Sequence, residues 1–357
     1  MSYRFEPLAR DGDAETADPQ EVSVRARTAL RSAYWTEWEP CSRMAPATSH
    51  ALWNTPPVRF AVKCHPVSRY PADWRFDGRV VRAEIRLLRR CSRAVERGGV
   101  PNLPMHYDAF AGPTRCEERF DVRGPDLPKW SFYTCNEYAP GGDLEHWQRQ
   151  GGPHTPAEWE SCFAQILLGA AAFNSESVTG GWVHGDMHWG NVIMHPLRPG
   201  GCWHYRLIYG GETIQLYVPN AGQQWRLWDF GYATPIRSAA DVLETLRDVD
   251  NVLGGCFEFA RRDGTYAAPK IFLPTRNLIR PKAMTRKRFD SFVRRIRKRF
   301  EKVYSASRKV PSVNLPLEVF REMQWLGMDE PTSRVLNRGN PYTLRAGYES
   351  LASAEDS

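Results

Sequence analysis

Two short segments that are typical of loops carry polar residues that the fold must bring together with a ligand or a partner. The sequence HGDMHWGN occupies residues 184–191, ten residues after the most apolar predicted helix of the chain, at 159–173. The sequence WDFG follows at 228–231, so that Asp229 comes 38 positions after Asn191. A buried loop rich in such groups would leave its charges uncompensated unless the fold supplies a ligand or a partner. Asp186, Asn191 and Asp229 are therefore the first candidates for a functional site.

These three residues are the groups that phosphoryl transfer requires. One carboxylate orients the attacking hydroxyl and accepts its proton, a role that we assign to Asp186. An amide oxygen and a second carboxylate hold Mg²⁺ against the phosphates, which makes Asn191 and Asp229 the expected metal ligands. Mg²⁺ prefers oxygen ligands and relies on only one or two protein carboxylates.

A lysine and a glutamate upstream complete the pattern. The stretch 58–64 (VRFAVKC) is typical of a β-strand and places Lys63 on it, and residues 79–94 have the apolar spacing of an amphipathic helix that carries Glu84. A strand lysine held by a helix glutamate can reach phosphate oxygens. Lys63 and Glu84 are thus predicted to act together on a nucleotide.

Taken in order, these blocks resemble the protein-kinase-like superfamily. The resemblance spans roughly residues 55 to 260 and rests on five motifs: FAVK with Lys63, RAEIRLL with Glu84, EYAPGGDL at 137–144, HGDMHWGN, and Asp229-Phe230-Gly231. It implies ATP and Mg²⁺ as cofactors and a bilobal α+β fold with a small β-rich N-lobe and a larger α-helical C-lobe. It also implies that Lys63, Asp186, Asn191 and Asp229 converge in one cleft between the lobes.

The same resemblance assigns site residues. The catalytic set is Asp186, Lys63, Glu84 and His188, the nucleotide-binding set is Lys63, Glu137, Ala139 and Asp143, and the metal ligands are Asn191 and Asp229. Asp143 is expected either to contact the ribose or to cap the following helix. His188 is expected to contact the γ-phosphate or to bond within its loop, and His184 to brace that loop.

The chain departs from typical protein kinases in the catalytic loop and in the segment that follows it. The loop form HGDxHxGN resembles those of small-molecule kinases and atypical protein kinases. The long interval before Asp229 carries two alternating runs, 205–209 and 214–218, on either side of Gly210-Gly211, which predict a β-hairpin. An enlarged hairpin at this place is similar to kinase-like proteins of large DNA viruses.

Two further departures concern the nucleotide and regulation. No glycine occurs between Gly12 and Gly78, so the glycine-rich loop over the phosphates is absent or remade around 32–34. The segment after Gly231 is short and lacks an A-P-E motif, and Asp248 or Asp250 is expected to begin the next core helix. We therefore expect activity without phosphorylation of an activation loop.

The predicted organisation follows from these elements and from the charge. A flexible acidic tail covers 1–20, the N-lobe 21–138, the C-lobe 139–330 with the extended hairpin 203–219, and a C-terminal tail 331–357. Residues 280–309 hold 13 Lys/Arg and two acids, although the whole chain carries a net charge of +7. Their spacing predicts a basic amphipathic helix, which either faces water or docks an acidic or nucleic-acid partner.

Three functions stay open at this point. The preferred one is an ATP- and Mg²⁺-dependent Ser/Thr protein kinase acting on a protein hydroxyl; the others are a small-molecule hydroxyl kinase (aminoglycoside or choline kinase type) and a pseudokinase scaffold. The eight cysteines form no C-x-x-C pair, and no stretch is apolar for long enough to cross a bilayer. The expected location is intracellular, cytoplasmic or nuclear, in a host cell or virion if the protein is viral.

Overall fold

The structure, a computed structural model, describes most of the chain between residues 50 and 323. The described ranges are 50–55, 58–66, 78–97, 100–113, 130–150, 154–255 and 313–323, together with single positions after 290 and residues 336, 342 and 343. The chain divides into two compact units. The first unit comprises Met1–Glu96 and Pro104–Pro140, and the second comprises Arg97–Leu103 and Gly141–Ser357.

The first unit contains a four-stranded antiparallel sheet. Its strands are β1 (His50–Thr55), β2 (Val58–Pro66), β3 (His106–Pro113) and β4 (Trp130–Glu137), in the order β1-β2-β4-β3. The predicted strand at 58–64 is thus an inner strand of this sheet. Its pairing sets Lys63 opposite Thr134 of β4.

One helix, α1 (Gly78–Glu96), packs against strands β3 and β4 of this sheet. Its buried residues recur at three- and four-residue spacing, as in Val81, Ile85, Leu88, Ser92 and Val95. Arginines occupy the opposite, exposed face of the same helix. This arrangement explains why α1 presents Glu84, which is 5% exposed, among apolar residues rather than toward solvent.

The second unit is built around a helix that is buried over most of its length. The α-helices of the second unit whose bounds the described residues give are α2 (Leu144–Gln150), α3 (Pro156–Phe173), α4 (Glu176–Thr179), α5 (Ala239–Asp250) and α6 (Leu315–Met323). Helix α3 is buried from Ser161 to Phe173, and α6 packs against it. A capping box begins α3: Glu158 N–H donates to the Thr155 hydroxyl, and the Glu158 carboxylate accepts from Thr155 N–H. Burial alone would raise the pKa of Glu158, but the bonds from Thr155 and the nearby His154 lower it.

The described residues of the second unit also form seven short strands. They are β5 (Trp182–Val183), β6 (Val192–Pro196), β7 (Cys202–Tyr209), β8 (Glu212–Pro219), β9 (Gln223–Leu227), β10 (Thr234–Pro235) and β11 (Tyr342–Thr343). Strands β6 and β9 pair antiparallel, as do β5 and β10. Strands β7 and β8 form a hairpin where the alternating pattern predicted one, with Gly210 and Gly211 in the turn at positive φ.

A buried polar cluster fastens this hairpin to the rest of the second unit. The side-chain amide of Asn102 donates to Gln165 of α3 and to the carbonyl of Trp225 in β9, at 3.2 and 2.7 Å. The hydroxyl of Tyr205, on β7, donates to the amide oxygen of Asn102. Buried polar groups persist in folded proteins when they are hydrogen-bonded in this way. The hairpin is therefore part of the core of the second unit rather than an appendage.

Predictions about the C-terminal tail, about Asp248 or Asp250 and about the N-terminal residues can be compared with the structure. Tyr342–Thr343 pairs in parallel with β7, and Leu336 N–H donates to Cys202, so these residues of the predicted tail 331–357 join the hairpin sheet. The expectation that Asp248 or Asp250 begins a helix is wrong, because both lie in the last turn of α5. The acidic tail 1–20 and residues 32–34 lie outside the described residues.

Candidate active site

The HGDMHWGN sequence forms a loop between β5 and β6 that ends in a 3₁₀ turn at Trp189–Asn191. His184 is fully buried, and its Nε2 lies 2.8 Å from the carbonyl oxygen of Trp228. Its ring also contacts Phe173 and Phe230. His184 thereby links the loop to the WDFG sequence. The position fits bracing of the loop.

Asp248 of α5 holds the beginning of this loop. Its Oδ2 accepts the main-chain N–H of His184 at 2.9 Å, and its Oδ1 accepts that of Gly185 at 3.1 Å. Burial raises the pKa of Asp248, although the neighbouring His184 and the main-chain bonds from Gly185, His184 and Met187 oppose the rise. This role of Asp248 was not predicted from the sequence. The acid-rich end of α5 was a visible signal, but only the fold shows which loop it meets.

The local backbone explains why residue 185 is a glycine. Gly185 has a φ of +79°, and a Cβ built on it would lie 2.7 Å from the main-chain oxygen of Tyr232. Both the backbone angle and the close approach exclude a side chain without strain. A residue with a side chain at position 185 would therefore strain the beginning of this loop.

Asn191 and Asp186 are joined directly. The Nδ2 of Asn191 donates to the main-chain oxygen of Asp186 at 2.8 Å and lies 3.4 Å from its Oδ2. Because a carbonyl oxygen can only accept, the amide nitrogen of Asn191 must face Asp186, which turns its Oδ1 the other way. Asn191 thus fixes the Asp186 backbone with its nitrogen and keeps an oxygen for another ligand.

The ladder of β6 and β9 brings Asp229 to the same end of the unit. Val192 pairs with Leu227, and Trp228 N–H donates to the carbonyl of Asn191 at 2.9 Å. Asp229 follows at once with a φ of +56°, the one non-glycine positive φ in the described residues. Its Oδ1 accepts Gly231 N–H at 3.3 Å. A left-handed non-glycine residue is held in place by its surroundings and is often found at functional sites.

His188 makes its contacts within the loop. Its Nδ1 accepts the main-chain N–H of Gly190 at 3.0 Å, so the ring proton is on Nε2, which lies 3.8 Å from Oδ2 of Asp186. The side chains of His188 and Asp186 are 49% and 44% exposed. Two roles were expected for His188. The structure contains the hydrogen bond within the loop, and the contact with the γ-phosphate stays a prediction.

The loop is also anchored by its tryptophan. Trp189 is buried, its Nε1–H donates to the carbonyl of Val252 at 2.7 Å, and its ring lies 5.7 Å from that of Trp159 in α3. The rings of Trp147 and Trp225 extend this aromatic cluster. A packed tryptophan between Asp186 and Asn191 restricts the motion of both.

Lys63 and Glu84 lie in the first unit, where they form an ion pair. Nζ of Lys63 is 2.8 Å from Oε1 of Glu84, and the side chains are 14% and 5% exposed. The pairing follows from the fold of this unit, since α1 turns Glu84 toward the sheet. In a pair this buried the cost of desolvation offsets much of the attraction, but removal of one member leaves a buried charge without its partner and is costly.

The residues predicted to hold the nucleotide lie around the connector 137–143. Glu137 is buried: its N–H donates to the carbonyl of Met105 and its carboxylate accepts Met105 N–H, at 2.9 and 2.8 Å. Ala139 is half-buried and belongs to no strand or helix. Oδ1 of Asp143 accepts His146 N–H at 2.7 Å at the start of α2. Asp143 therefore has the helix-capping role, and its ribose contact stays a prediction.

The donor set fits Mg²⁺. Asn191 offers Oδ1 and Asp229 offers a carboxylate oxygen, which are ligands of the kind that Mg²⁺ binds. Within the described ranges no group of three or more His, Cys, Asp or Glu residues could hold a metal ion. One carboxylate and one amide agree with the tendency of Mg²⁺ to take few protein ligands.

Two further predictions concern the surface. In the basic segment, Arg294, Arg295, Lys298 and Lys302 are helical and exposed. Solvent alone explains such a face, so an acidic or nucleic-acid partner has no support from these positions. None of the helices in the described part of the chain has the length and apolarity that crossing a membrane demands.

Comparison with known proteins gives a partial likeness. No family model matches the chain. Over 97 residues it is 31% identical to the putative serine/threonine-protein kinase 019R of Frog virus 3, a stretch that is 27% of this chain and 11% of the viral protein. A crystal structure of the Rad53 kinase domain and SCD2 is 14% identical, with a TM-score of 0.37, over 65% of this chain and 67% of that one. The chain thus spans a small part of its viral relative.

Proposed function

We propose that the protein is an ATP- and Mg²⁺-dependent phosphotransferase, and most specifically a Ser/Thr protein kinase. The observation that carries this proposal is the arrangement at the end of the β6–β9 ladder. There Asn191 bonds to Asp186, and Asp229 follows the strand that pairs with the one after Asn191. The local similarity to a viral kinase supports the same class of reaction.

In this proposal Asp186 acts as the catalytic base. Its partly exposed carboxylate accepts the proton of the acceptor hydroxyl as the oxygen attacks the γ-phosphorus and the bond to the β-phosphate oxygen breaks. Asn191 keeps the Asp186 backbone in position. Bound Mg²⁺ would neutralise charge on the phosphates, with Asn191 and Asp229 as its protein ligands.

The first unit would supply the nucleotide contacts. Lys63, oriented by Glu84, would bind phosphate oxygens of the same ATP molecule on which Asp186 acts. The connector that includes Glu137 and Ala139 would hold the adenine through its backbone, with Asp143 at the ribose.

We also propose that the activity needs no phosphorylation of an activation loop. Helix α5 begins at Ala239, so seven residues separate it from Gly231. Of these, Thr234–Pro235 already pairs with β5. Switches of this kind order a loop through new contacts between phosphate and arginine. Little chain is left here to be ordered.

Nucleotide binding and transfer test the proposal in sequence. Saturating Mg²⁺-ATP should raise the melting temperature, since a ligand that binds only the folded state stabilises it. An Asn191→Ala, Asp229→Ala variant should lose most of that rise when Mg²⁺ is present. The absence of any rise in the wild type would contradict the proposal and favour a scaffold.

The acceptor is tested by labelled phosphate. Purified protein is incubated with radiolabelled ATP and either a protein mixture or a pool of small hydroxyl compounds. We expect label on serine and threonine of the proteins, identified by acid hydrolysis. Label in the small-molecule pool alone would contradict the protein kinase assignment and leave the phosphotransferase class intact.

A further inference from the structure

A line of polar side chains crosses one face of the first-unit sheet and ends at Glu84. We call it the sheet-face chain; it consists of His106, Asn136, Thr134, His65, Glu84 and Lys63. Each strand residue of the sheet-face chain faces the same side of the sheet, as the pairing of His106 with Asn136 and of Lys63 with Thr134 requires. The first five members are at most 8% exposed. So many buried polar groups on one face need an ordered set of hydrogen bonds.

The contacts of Asn136 determine which atoms of the sheet-face chain donate and which accept. Its Nδ2 donates to the main-chain oxygen of Thr134 at 3.3 Å and to the Thr134 hydroxyl at 3.1 Å. A carbonyl oxygen only accepts, so the amide cannot be turned over without setting two acceptors against each other. The Oδ1 of Asn136 must then face His106, whose Nδ1 is 2.8 Å away and carries the donated proton.

The direction continues to His65. The Thr134 hydroxyl oxygen accepts a hydrogen bond from Asn136, and its own O–H has Nε2 of His65, 3.5 Å away, as an acceptor within reach. With Nε2 as the acceptor, the neutral ring of His65 carries its proton on Nδ1. That atom lies 3.7 Å from Oε2 of Glu84.

Glu84 is consequently approached at both oxygens by residues two apart on the same strand. Lys63 takes Oε1 and His65 faces Oε2. Lys63 bonds to one oxygen of the carboxylate, and the His65 ring lies close to the other, beyond direct hydrogen-bond distance. These two neighbours restrict the orientation of Glu84 and therefore that of the lysine that pairs with it. A small displacement of a positioning group can lower a rate by about 10²-fold.

We propose that His65, as the Nδ1–H tautomer, is a positioning residue that orients Glu84 and through it Lys63. The role in catalysis rests on the proposed phosphotransferase function, whereas the tautomer does not depend on it. Nothing in the motifs that suggest a kinase points to a histidine two residues after the lysine. The inference comes from the burial and geometry of the sheet-face chain.

The tautomer is tested first, by NMR on protein labelled with ¹⁵N-histidine at neutral pH. We expect the His65 ring, assigned by its loss in His65→Asn, to show a protonated Nδ1 and an unprotonated Nε2. In Thr134→Val, which keeps the volume but removes the hydroxyl donor, the Nε2 resonance should shift. A ring protonated on Nε2 would overturn the proposal.

The positioning role is tested with two substitutions of His65. His65→Asn retains an N–H donor near the place of Nδ1, while His65→Leu retains bulk without a donor. We expect His65→Leu to raise the KM for ATP about tenfold, and His65→Asn to restore it to within about threefold of wild type. If a substitution only causes part of the sample to unfold, kcat falls and KM stays unchanged. Comparing the changes in kcat and KM therefore distinguishes a positioning role from an effect on stability.

The two measurements distinguish the possible failures. An unchanged KM in His65→Leu, with wild-type phosphotransfer present, would overturn the positioning role. Absence of phosphotransfer in the wild type would refute the proposed function. The NMR result would then test only the predicted tautomer of His65 in the sheet-face chain. Urea unfolding of both variants provides the control for folding.

Discussion

The main-chain N–H of His184 donates to Oδ2 of Asp248 across 2.9 Å, so the last turn of α5 holds the loop that carries Asp186. A second bond from Gly185 reaches the other oxygen of the same carboxylate. The position of the candidate base therefore depends on a residue 62 positions later in the chain. Replacing Asp248 should affect both stability and transfer.

The first prediction concerns the pH dependence of this effect. Burial raises the pKa of Asp248, so the folded protein binds its proton more tightly than the unfolded chain does. The stabilisation linked to that proton is complete below the unfolded pKa and is lost as pH rises through the folded pKa. In urea unfolding, the stability of wild type relative to Asp248→Asn should therefore decrease as pH rises above about 4, the usual pKa of an aspartate. A difference that increases with pH would contradict the raised pKa.

The second prediction compares two glycines with positive φ. An alanine Cβ at 185 would meet the Tyr232 oxygen at 2.7 Å, whereas nothing lies within 4 Å of one at 210. Gly210→Ala should cost about 1–2 kcal/mol from its backbone angle alone. Gly185→Ala should cost more in the free energy of unfolding, because it adds a clash with backbone. Equal costs would show that the loop can move away from Tyr232.

The third prediction tests the attachment of the hairpin. Tyr205→Phe leaves the amide oxygen of Asn102 without the hydroxyl that now donates to it. A buried acceptor left unpaired costs about 1–3 kcal/mol, measurable by urea unfolding. Tyr232→Phe is the matched control, since Tyr232 is 52% exposed and should change stability little. Equal effects of the two substitutions would argue against a buried anchor.

Sequence periodicity predicted the secondary elements well where one pattern dominated. The apolar run at 159–173, the amphipathic stretch at 79–94 and the alternation on both sides of Gly210-Gly211 all correspond to observed elements. In each case the signal is local, because burial on one face fixes the period. The ion pair of Lys63 with Glu84 was also predicted, from motif spacing rather than periodicity.

Contacts that join distant parts of the chain were not predictable in the same way. Asp248 was expected at the start of a helix and lies at the end of one, since nothing in its neighbours reveals which loop it meets. The bond of Tyr205 to Asn102 and the pairing of β11 with β7 connect residues more than a hundred positions apart. Whether Lys63 and Asp186 serve one nucleotide stays a prediction.

The fourth prediction concerns the buried ion pair of Lys63 and Glu84. Lys63→Met leaves a carboxylate buried without its nearest cation, and breaking such a pair costs about 3–5 kcal/mol. Removing both charges, in Lys63→Met with Glu84→Leu, should cost less than the single change. The double-mutant comparison is made by urea unfolding at neutral pH. A double variant less stable than Lys63→Met would contradict the uncompensated-charge explanation.

The central claim is that this protein transfers phosphate with Asp186 as its base, and phosphotransfer by the wild type and by Asp186→Asn tests it most directly. Both proteins are prepared identically and given radiolabelled ATP, Mg²⁺ and a protein mixture. We predict incorporation by the wild type and a loss of about 10²–10⁴-fold in the variant, the range expected for removal of a catalytic base. Equal incorporation by the two proteins, or none by either, would contradict the claim.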